Sequence, residues 1–244
     1  MSYYFDEDAA ERAVTFIERF CTHVKGELAG QPFILEDWQK VDIIRPLFGW
    51  KSEATGLRKY RTCYVEIPRK NGKSNLAAAI ALYLLFADGE PGAEIISAAG
   101  DRGQANIVFQ IAKEMINNNK HLRARAKVLR NIVEHKGSWY KSISAEAYTK
   151  HGLNCHGIIF DELHTQPNRE LYDVLTTSVG ARRQPVIMSL TTAGHDRSSI
   201  CYEMHEYSVA ILNGSIVDET FLPVLYKADA DDDWTSPETW KKAN

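Results

Sequence analysis

Lys73 and Ser74 close a segment, Pro68-Arg69-Lys70-Asn71-Gly72-Lys73-Ser74, whose residue types could bind a phosphate chain. The segment follows a predicted strand, Arg61-Thr-Cys-Tyr-Val-Glu-Ile-Pro68, and precedes a predicted helix that is almost entirely apolar. At such a junction successive backbone N–H groups and the helix N-terminus converge on one point. There the Lys73 ammonium would reach the β/γ oxygens of a nucleoside triphosphate, and the Ser74 hydroxyl would ligate Mg²⁺. The match to G-x-x-x-x-G-K-[ST] is imperfect, because Ile67 stands where the first glycine belongs. Arg69 and Lys70 lie inside the loop and could reach the γ-phosphate; Arg69 is placed to act in cis on transition-state charge.

A second cluster, Ile158-Ile159-Phe160-Asp161-Glu162, is a buried apolar strand that ends in two acids. An acid at a strand end can hold Mg²⁺ through water, and an adjacent Glu can polarise the attacking water. Alone, Asp161-Glu162 reads equally well as a helix N-cap. With the phosphate loop upstream it reads as the other half of an ATPase site. ATP and Mg²⁺ are then the cofactors, Ser74 and Asp161 the metal ligands, and Glu162, Lys73 and Arg69 the catalytic groups. Trp38-Gln39, further upstream, could hold adenine, since Gln both donates and accepts toward a base edge. By itself that pair is a helix-surface residue beside a core Trp.

The elements that position these residues follow from periodicity. Residues 6–25 carry apolar positions at helical spacing, with Asp6 as N-cap, and a second helix is predicted over 36–44 with Pro46 disturbing its end. Strands are predicted at 93–99, 157–161, 185–191 and 221–226, and helices at 102–117, 168–179 and 198–212. Segments 128–133 and 139–144 suggest a hairpin turning at Lys136-Gly137. Strands alternating with helices predict an α/β fold with a mostly parallel sheet covered on both faces. Two successive acids favour the additional-strand class of P-loop NTPase, in which a sheet strand separates the two motifs. Residues 93–99, or the hairpin strands, are the candidates for it. Residues 1–226 are then one ATPase domain, with 1–50 as a helical lead-in that carries Trp38-Gln39, and 227–244 begin a linker.

Composition narrows the function. The 244 residues are 44% hydrophobic and 25% charged, as in ordinary globular proteins, and no run approaches the roughly 20 apolar residues of a membrane span. The N-terminus is acidic and has no apolar signal core. Cys21, Cys63, Cys155 and Cys201 lie far apart, as free thiols of a reducing compartment would, and His151, Cys155, His156 and His164 fit no common zinc spacing. Net charge is −3, yet Lys120, Arg123, Arg125, Lys127, Arg130, Lys136 and Lys141 face a single acid, Glu134, between residues 120 and 141. That segment either meets phosphate or forms a solvated surface hairpin. Asp229, Asp231, Asp232 and Asp233 are adjacent in one run, whereas two-metal nuclease sites gather carboxylates from separated strands. They predict a solvated connector.

In this order and context the motifs resemble the large terminase subunits of tailed double-stranded DNA bacteriophages. The resemblance rests on Phe33-Ile-Leu-Glu-Asp-Trp-Gln39, Ile67-Pro-Arg-Lys-Asn-Gly-Lys-Ser74, Ile159-Phe-Asp-Glu-Leu-His164 and Leu190-Thr-Thr-Ala-Gly194, and extends to Trp240-Lys-Lys-Ala-Asn244. The departure at Ile67 is typical of that family. The resemblance implies an ATP-driven motor that threads viral double-stranded DNA into a procapsid. It would work as a homo-oligomeric ring on the capsid portal, with a small terminase subunit as partner, in the host cytoplasm and away from membranes. It assigns Gln39 to the adenine side, Lys73 and Ser74 to phosphate and Mg²⁺, Asp161 to Mg²⁺ and Glu162 to water. Thr191, Thr192 and Gly194 match the coupling motif that senses the γ-phosphate; as bare residues the threonines also read as a capped strand end. The family's second half is a nuclease, so the chain is expected to be the ATPase half. Arg182 and Arg183 are the first candidates to reach a neighbouring subunit, with Lys150 and Arg102 next. The alternative is a helicase-like nucleic-acid-dependent ATPase, which shares both motifs but needs a second recombination-type domain.

Overall fold

The computed structural model describes residues 2–145, 152–229 and 231–243. Ten strands are present among them. β1 (Tyr3–Phe5) and β2 (Trp50–Ser52) form a small antiparallel pair. The others are β3 (Thr62–Glu66), β4 (Glu94–Ala99), β5 (Lys127–Val128), β6 (Val133–His135), β7 (Ser138–Ser144), β8 (Cys155–Asp161), β9 (Val186–Thr191) and β10 (Phe221–Leu225). They join in one sheet in the order β10-β3-β9-β8-β4-β7-β6-β5. Pairing is parallel from β10 to β7 and antiparallel through β6 and β5. The sheet is therefore mostly parallel, as the alternation predicts.

Strand order corrects one expectation. The strand between the phosphate-loop strand β3 and the acid-bearing strand β8 is β9, not residues 93–99 or the hairpin. β4 lies on the far side of β8, and β7 lies beyond it. The hairpin does turn at Lys136-Gly137 between β6 and β7, but residues 128–133 are not one strand: β5 ends at Val128 and folds back onto β6.

Two apolar layers sandwich the sheet because its strand residues alternate. Cys63, Val65 and Ile159 lie in the core layer of α1 (Glu7–Phe20), α3 (Lys73–Phe86), α4 (Arg102–Asn118) and the short α5 (Lys120–Arg123), while Tyr64, Ile158 and Phe160 face α6 (Glu170–Thr177) and α7 (Ile200–Leu212). α3 is apolar all round, and every residue from Leu76 to Leu85 is buried. Such a helix has no solvated face to offer. Asp6 caps α1 as predicted, its carboxylate accepting the Ala9 N–H at 2.9 Å. The second predicted helix is a π-helical turn, Gln39–Ile44, that runs directly into α2 (Arg45–Gly49). Pro46 does not end it. The wider turn takes the Arg45 N–H to the Lys40 carbonyl, and the proline sits in the first turn of α2, where a missing N–H costs little.

Candidate active site

β3 delivers its chain at Glu66 to the sheet edge where the other parallel strands also end. The Ile67 N–H is held by the Thr191 carbonyl at 3.0 Å, and the Ile67 side chain is buried in the α3-side core. An apolar side chain thus takes up the space that a first glycine would leave. The loop then turns through two left-handed residues, Lys70 (φ 70°) and Gly72 (φ 71°). Gly72 takes that conformation at no steric cost, whereas Lys70 stores about 1 kcal/mol or more. Gly72 is the N-cap of α3, so the free N–H groups of the helix open into the loop.

Lys73 folds over the carbonyls of its own loop. Its Nζ lies 3.0 Å from the Pro68 oxygen, 3.4 Å from the Ile67 oxygen and 3.7 Å from Glu162 Oε1. Burial pulls its pKa down, against the opposing pull of Glu162 and Asp161. Ser74 Oγ donates to Asp161 Oδ2 at 3.0 Å, across 87 residues of sequence. Asp161 is 2% exposed, and its other oxygen, Oδ1, has no hydrogen-bond partner. Burial, and then the neighbouring Glu162 carboxylate, push its pKa up to about 6. A buried carboxylate with free lone pairs beside a serine hydroxyl is a donor set suited to a hard divalent cation. Ser74 and Asp161 therefore fit Mg²⁺.

Glu162 is itself left-handed (φ 52°, ψ 58°), and it opens a short 3₁₀ turn, Leu163–Thr165. This conformation turns its side chain back across the sheet end. Its Oε2 accepts the Thr192 N–H at 3.3 Å and lies 3.2 Å from His164 Nδ1. Thr191 is fully buried; its hydroxyl donates to the Thr192 carbonyl at 2.8 Å and accepts the His164 N–H at 3.2 Å. Gly194 lets this loop pack closely, since a Cβ built there would lie 3.3 Å from His164 Cβ.

The upstream pair also reaches the loop, with one restriction. Gln39 is buried beside Gly72, but its Oε1 already accepts the Glu36 N–H at 3.0 Å. What it offers toward a base is chiefly its amide donor. Trp38 lines a cleft with Ile67, Pro68, Asn71 and Tyr226. Tyr226 stands edge-on to Trp38 at 5.5 Å, and its hydroxyl donates to Asp42. Nothing in the sequence around Tyr226 marks it, because only the β3–β10 pairing brings it to the loop. Arg69 and Lys70 are exposed, and the charge of Arg69 is felt by both Lys73 and His164.

Not every predicted residue arrives here. Arg182 sits at the opposite end of the sheet, where it donates to the Asn154, Pro91 and Gly92 carbonyls and pairs with Glu90 at 2.9 Å. A six-residue strand separates it from the phosphate loop by about 20 Å. Its donors bond within its own chain. Arg183 beside it is exposed. Lys150 and His151 lie outside the described residues, as does the side chain of Arg102. His156 pairs with Asp88 at 2.6 Å, and Asp88 also pairs with Arg58, in a buried cluster at that same far end. All four cysteines are buried and unpaired. Asp229 and Asp232 pair with Lys242 of α8 (Pro237–Ala243), while Asp233 binds the Thr235 N–H and hydroxyl.

The chain is similar to known proteins in sequence and in fold. The chain is 32% identical over 246 residues to the large terminase subunit of Enterobacteria phage HK97, covering 96% of this chain and 45% of that protein. Protein YmfN of Escherichia coli strain K12 is 37% identical over 93 residues, 38% of this chain and 20% of YmfN. The crystal structure of the HK97 large terminase superposes with a TM-score of 0.81 at 28% identity, covering 96% of this chain and 47% of that one. The large terminase of the thermophilic bacteriophage D6E shares the fold, with a TM-score of 0.51 at 15% identity over 75% of this chain and 44% of that one. The chain thus spans about half the length of these phage relatives. Residues 37–209, from just before the aromatic–glutamine pair to the last turn of α7, match the family model of the terminase large subunit ATPase domain, and the chain belongs to that family.

Proposed function

We propose that this chain hydrolyses Mg·ATP and spends the energy on moving double-stranded DNA into a viral procapsid. The observation that supports the proposal is the Ser74–Asp161 contact, which sets a hydroxyl and a buried carboxylate suited to a divalent cation beside Lys73 and one residue from Glu162. Mg²⁺, held by Ser74 and Asp161, would supply charge for the β/γ oxygens. Lys73 would leave its loop carbonyls for the same oxygens, where its ammonium regains the counter-charge that burial withholds. Glu162, tethered through Oε2, keeps Oε1 for the attacking water and takes its proton. Arg69 would turn inward onto the γ-phosphate in cis. Trp38, Gln39, Pro68, Lys70, Asn71 and Gly72 would cradle the base and phosphates. Thr191, Thr192 and Gly194 would carry phosphate release onward, since Thr192 touches Glu162 directly.

Several further assignments belong to this proposal. Residues 1–226 act as the ATPase domain and 227–244 as the start of a connector to a nuclease domain. The working form is a homo-oligomeric ring on the capsid portal in the host cytoplasm, served by a small terminase subunit. No described helix is long and apolar enough to cross a membrane. The test compares Lys73→Ala with Glu162→Gln. The first should lose a fluorescent ATP analogue and all turnover. The second should retain the analogue and lose turnover by about 100-fold or more, the usual worth of a general base. Equal loss of affinity in both would remove Glu162 from its role. Stimulation of turnover by blunt duplex, and not by single strands, separates packaging from unwinding.

A further inference from the structure

His164 stands at a junction that the assignments above leave unused. Its Nδ1 lies 3.2 Å from Glu162 Oε2, 3.1 Å from Thr191 Oγ1 and 3.3 Å from Thr192 Oγ1. One ring nitrogen cannot bond all three at once. The Thr191 hydroxyl spends its hydrogen on the Thr192 carbonyl and already accepts the His164 backbone N–H. A donor at Nδ1 gains most from the carboxylate, because a hydrogen bond to an ionised acceptor is about twice as strong as a neutral one. Glu162 Oε2 then holds two donors, His164 Nδ1–H and Thr192 N–H, both on the coupling side. Oε1 is left on the Lys73 side, 3.7 Å from Nζ.

We propose that His164 is the positioning residue that aims Glu162 and relays its state to the coupling strand. With Oε2 tethered, the carboxylate presents one oxygen in one orientation to the water, which is how a general base gains from fixed geometry. When Glu162 swings away, the same Nδ1–H finds the Thr191 and Thr192 hydroxyls, 3.1 and 3.3 Å off, without the ring moving far. The end of β9 then feels the change at Glu162 through a single imidazole. Burial lowers the pKa of His164, and Arg69 and Lys73 oppose the pull of Glu162, so the ring works as a neutral donor. The close packing of Gly194 on His164 Cβ keeps the ring in place.

The inference rests on Glu162 activating the water, and the test reports the two separately. In the 244-residue chain, His164→Asn keeps a donor near the Nδ1 position, and His164→Leu keeps bulk without one. His164→Leu should lower kcat for ATP by about 10- to 100-fold with KM within about threefold, as expected when a base is misaimed and binding is spared. His164→Asn should recover kcat to within about threefold of the parent. In a Glu162→Gln background His164→Leu should change turnover no further, since the ring acts through Glu162. Parent-like kcat in His164→Leu, an equal fall in both His164 variants, or an additive loss on Glu162→Gln overturns the proposal. If His164→Leu melts at assay temperature, His164→Asn decides alone: parent-like kcat supports the donor role, and a loss as deep as that of Glu162→Gln refutes it. Failure of Glu162→Gln to slow turnover refutes the underlying role of Glu162 instead.

Discussion

Asp161→Asn should stabilise the fold while removing metal-dependent binding. Asp161 is 2% exposed, and its Oδ1 has no partner. Its pKa is raised from 3.8 to about 6, with burial the first cause and Glu162 the second. Because the folded value lies above the unfolded one, the unfolded chain ionises first as pH rises. The penalty on the fold is absent below pH 3.8, grows between 3.8 and about 6, and is fully present above that. A shift of about 2 units corresponds to about 3 kcal/mol. Asparagine has the same shape, and its oxygen can still accept from Ser74, but its amide hydrogens replace the unpartnered oxygen and cost about 1 kcal/mol. The net gain is about 1–2 kcal/mol at pH 8 and should vanish near pH 4. Urea unfolding of parent and variant at both pH values, with chelator present, measures the difference. Adding Mg·ATP should then reverse the order, because only the parent gains from ligand linkage. A variant less stable than the parent at pH 8, or a difference that ignores pH, would refute the reasoning.

Other perturbations follow from the geometry. Arg182→Ala should cost about 2–3 kcal/mol in urea unfolding, because it strands Glu90 and three carbonyls, yet leave intact any rise of ATP turnover per chain with concentration, the sign of sites completed by a neighbour in the proposed ring. A folded Arg182→Ala chain whose turnover per chain no longer rises with concentration, where the parent's does, would place Arg182 at the interface. Replacing Arg123, Arg125 and Lys127 with Ala should weaken duplex binding and flatten its salt dependence by about two to three units of slope, given roughly 0.9 per phosphate contact. These side chains are exposed around the sheet-edge strand β5, where lysine also guards against edge pairing, and an unchanged slope would leave them only that second role.

The chemistry of the phosphate loop was legible in the chain because it is local. Seven consecutive residues between a strand and a helix suffice to converge backbone N–H groups, whatever the rest of the fold does. The buried strand ending in Asp161-Glu162, the Asp6 cap and the all-apolar α3 were legible for the same reason. What needed tertiary structure was every property set by pairing at long range. The strand between the two motifs is β9, because strand order depends on which edges meet and not on where strands fall in sequence. That order brings Thr192 N–H to a carboxylate 30 residues away and Tyr226 to the loop cleft. It also sets Arg182 at the end of the sheet opposite its own phosphate loop, since the loop entering a parallel strand lies opposite the loop leaving it. Gln39 loses part of its acceptor capacity to the Glu36 N–H only three residues back, a local contact, whereas the π geometry of the turn it opens follows from no periodicity in its residues. Sequence determined which groups could bind phosphate and metal; packing decided which neighbours those groups were given.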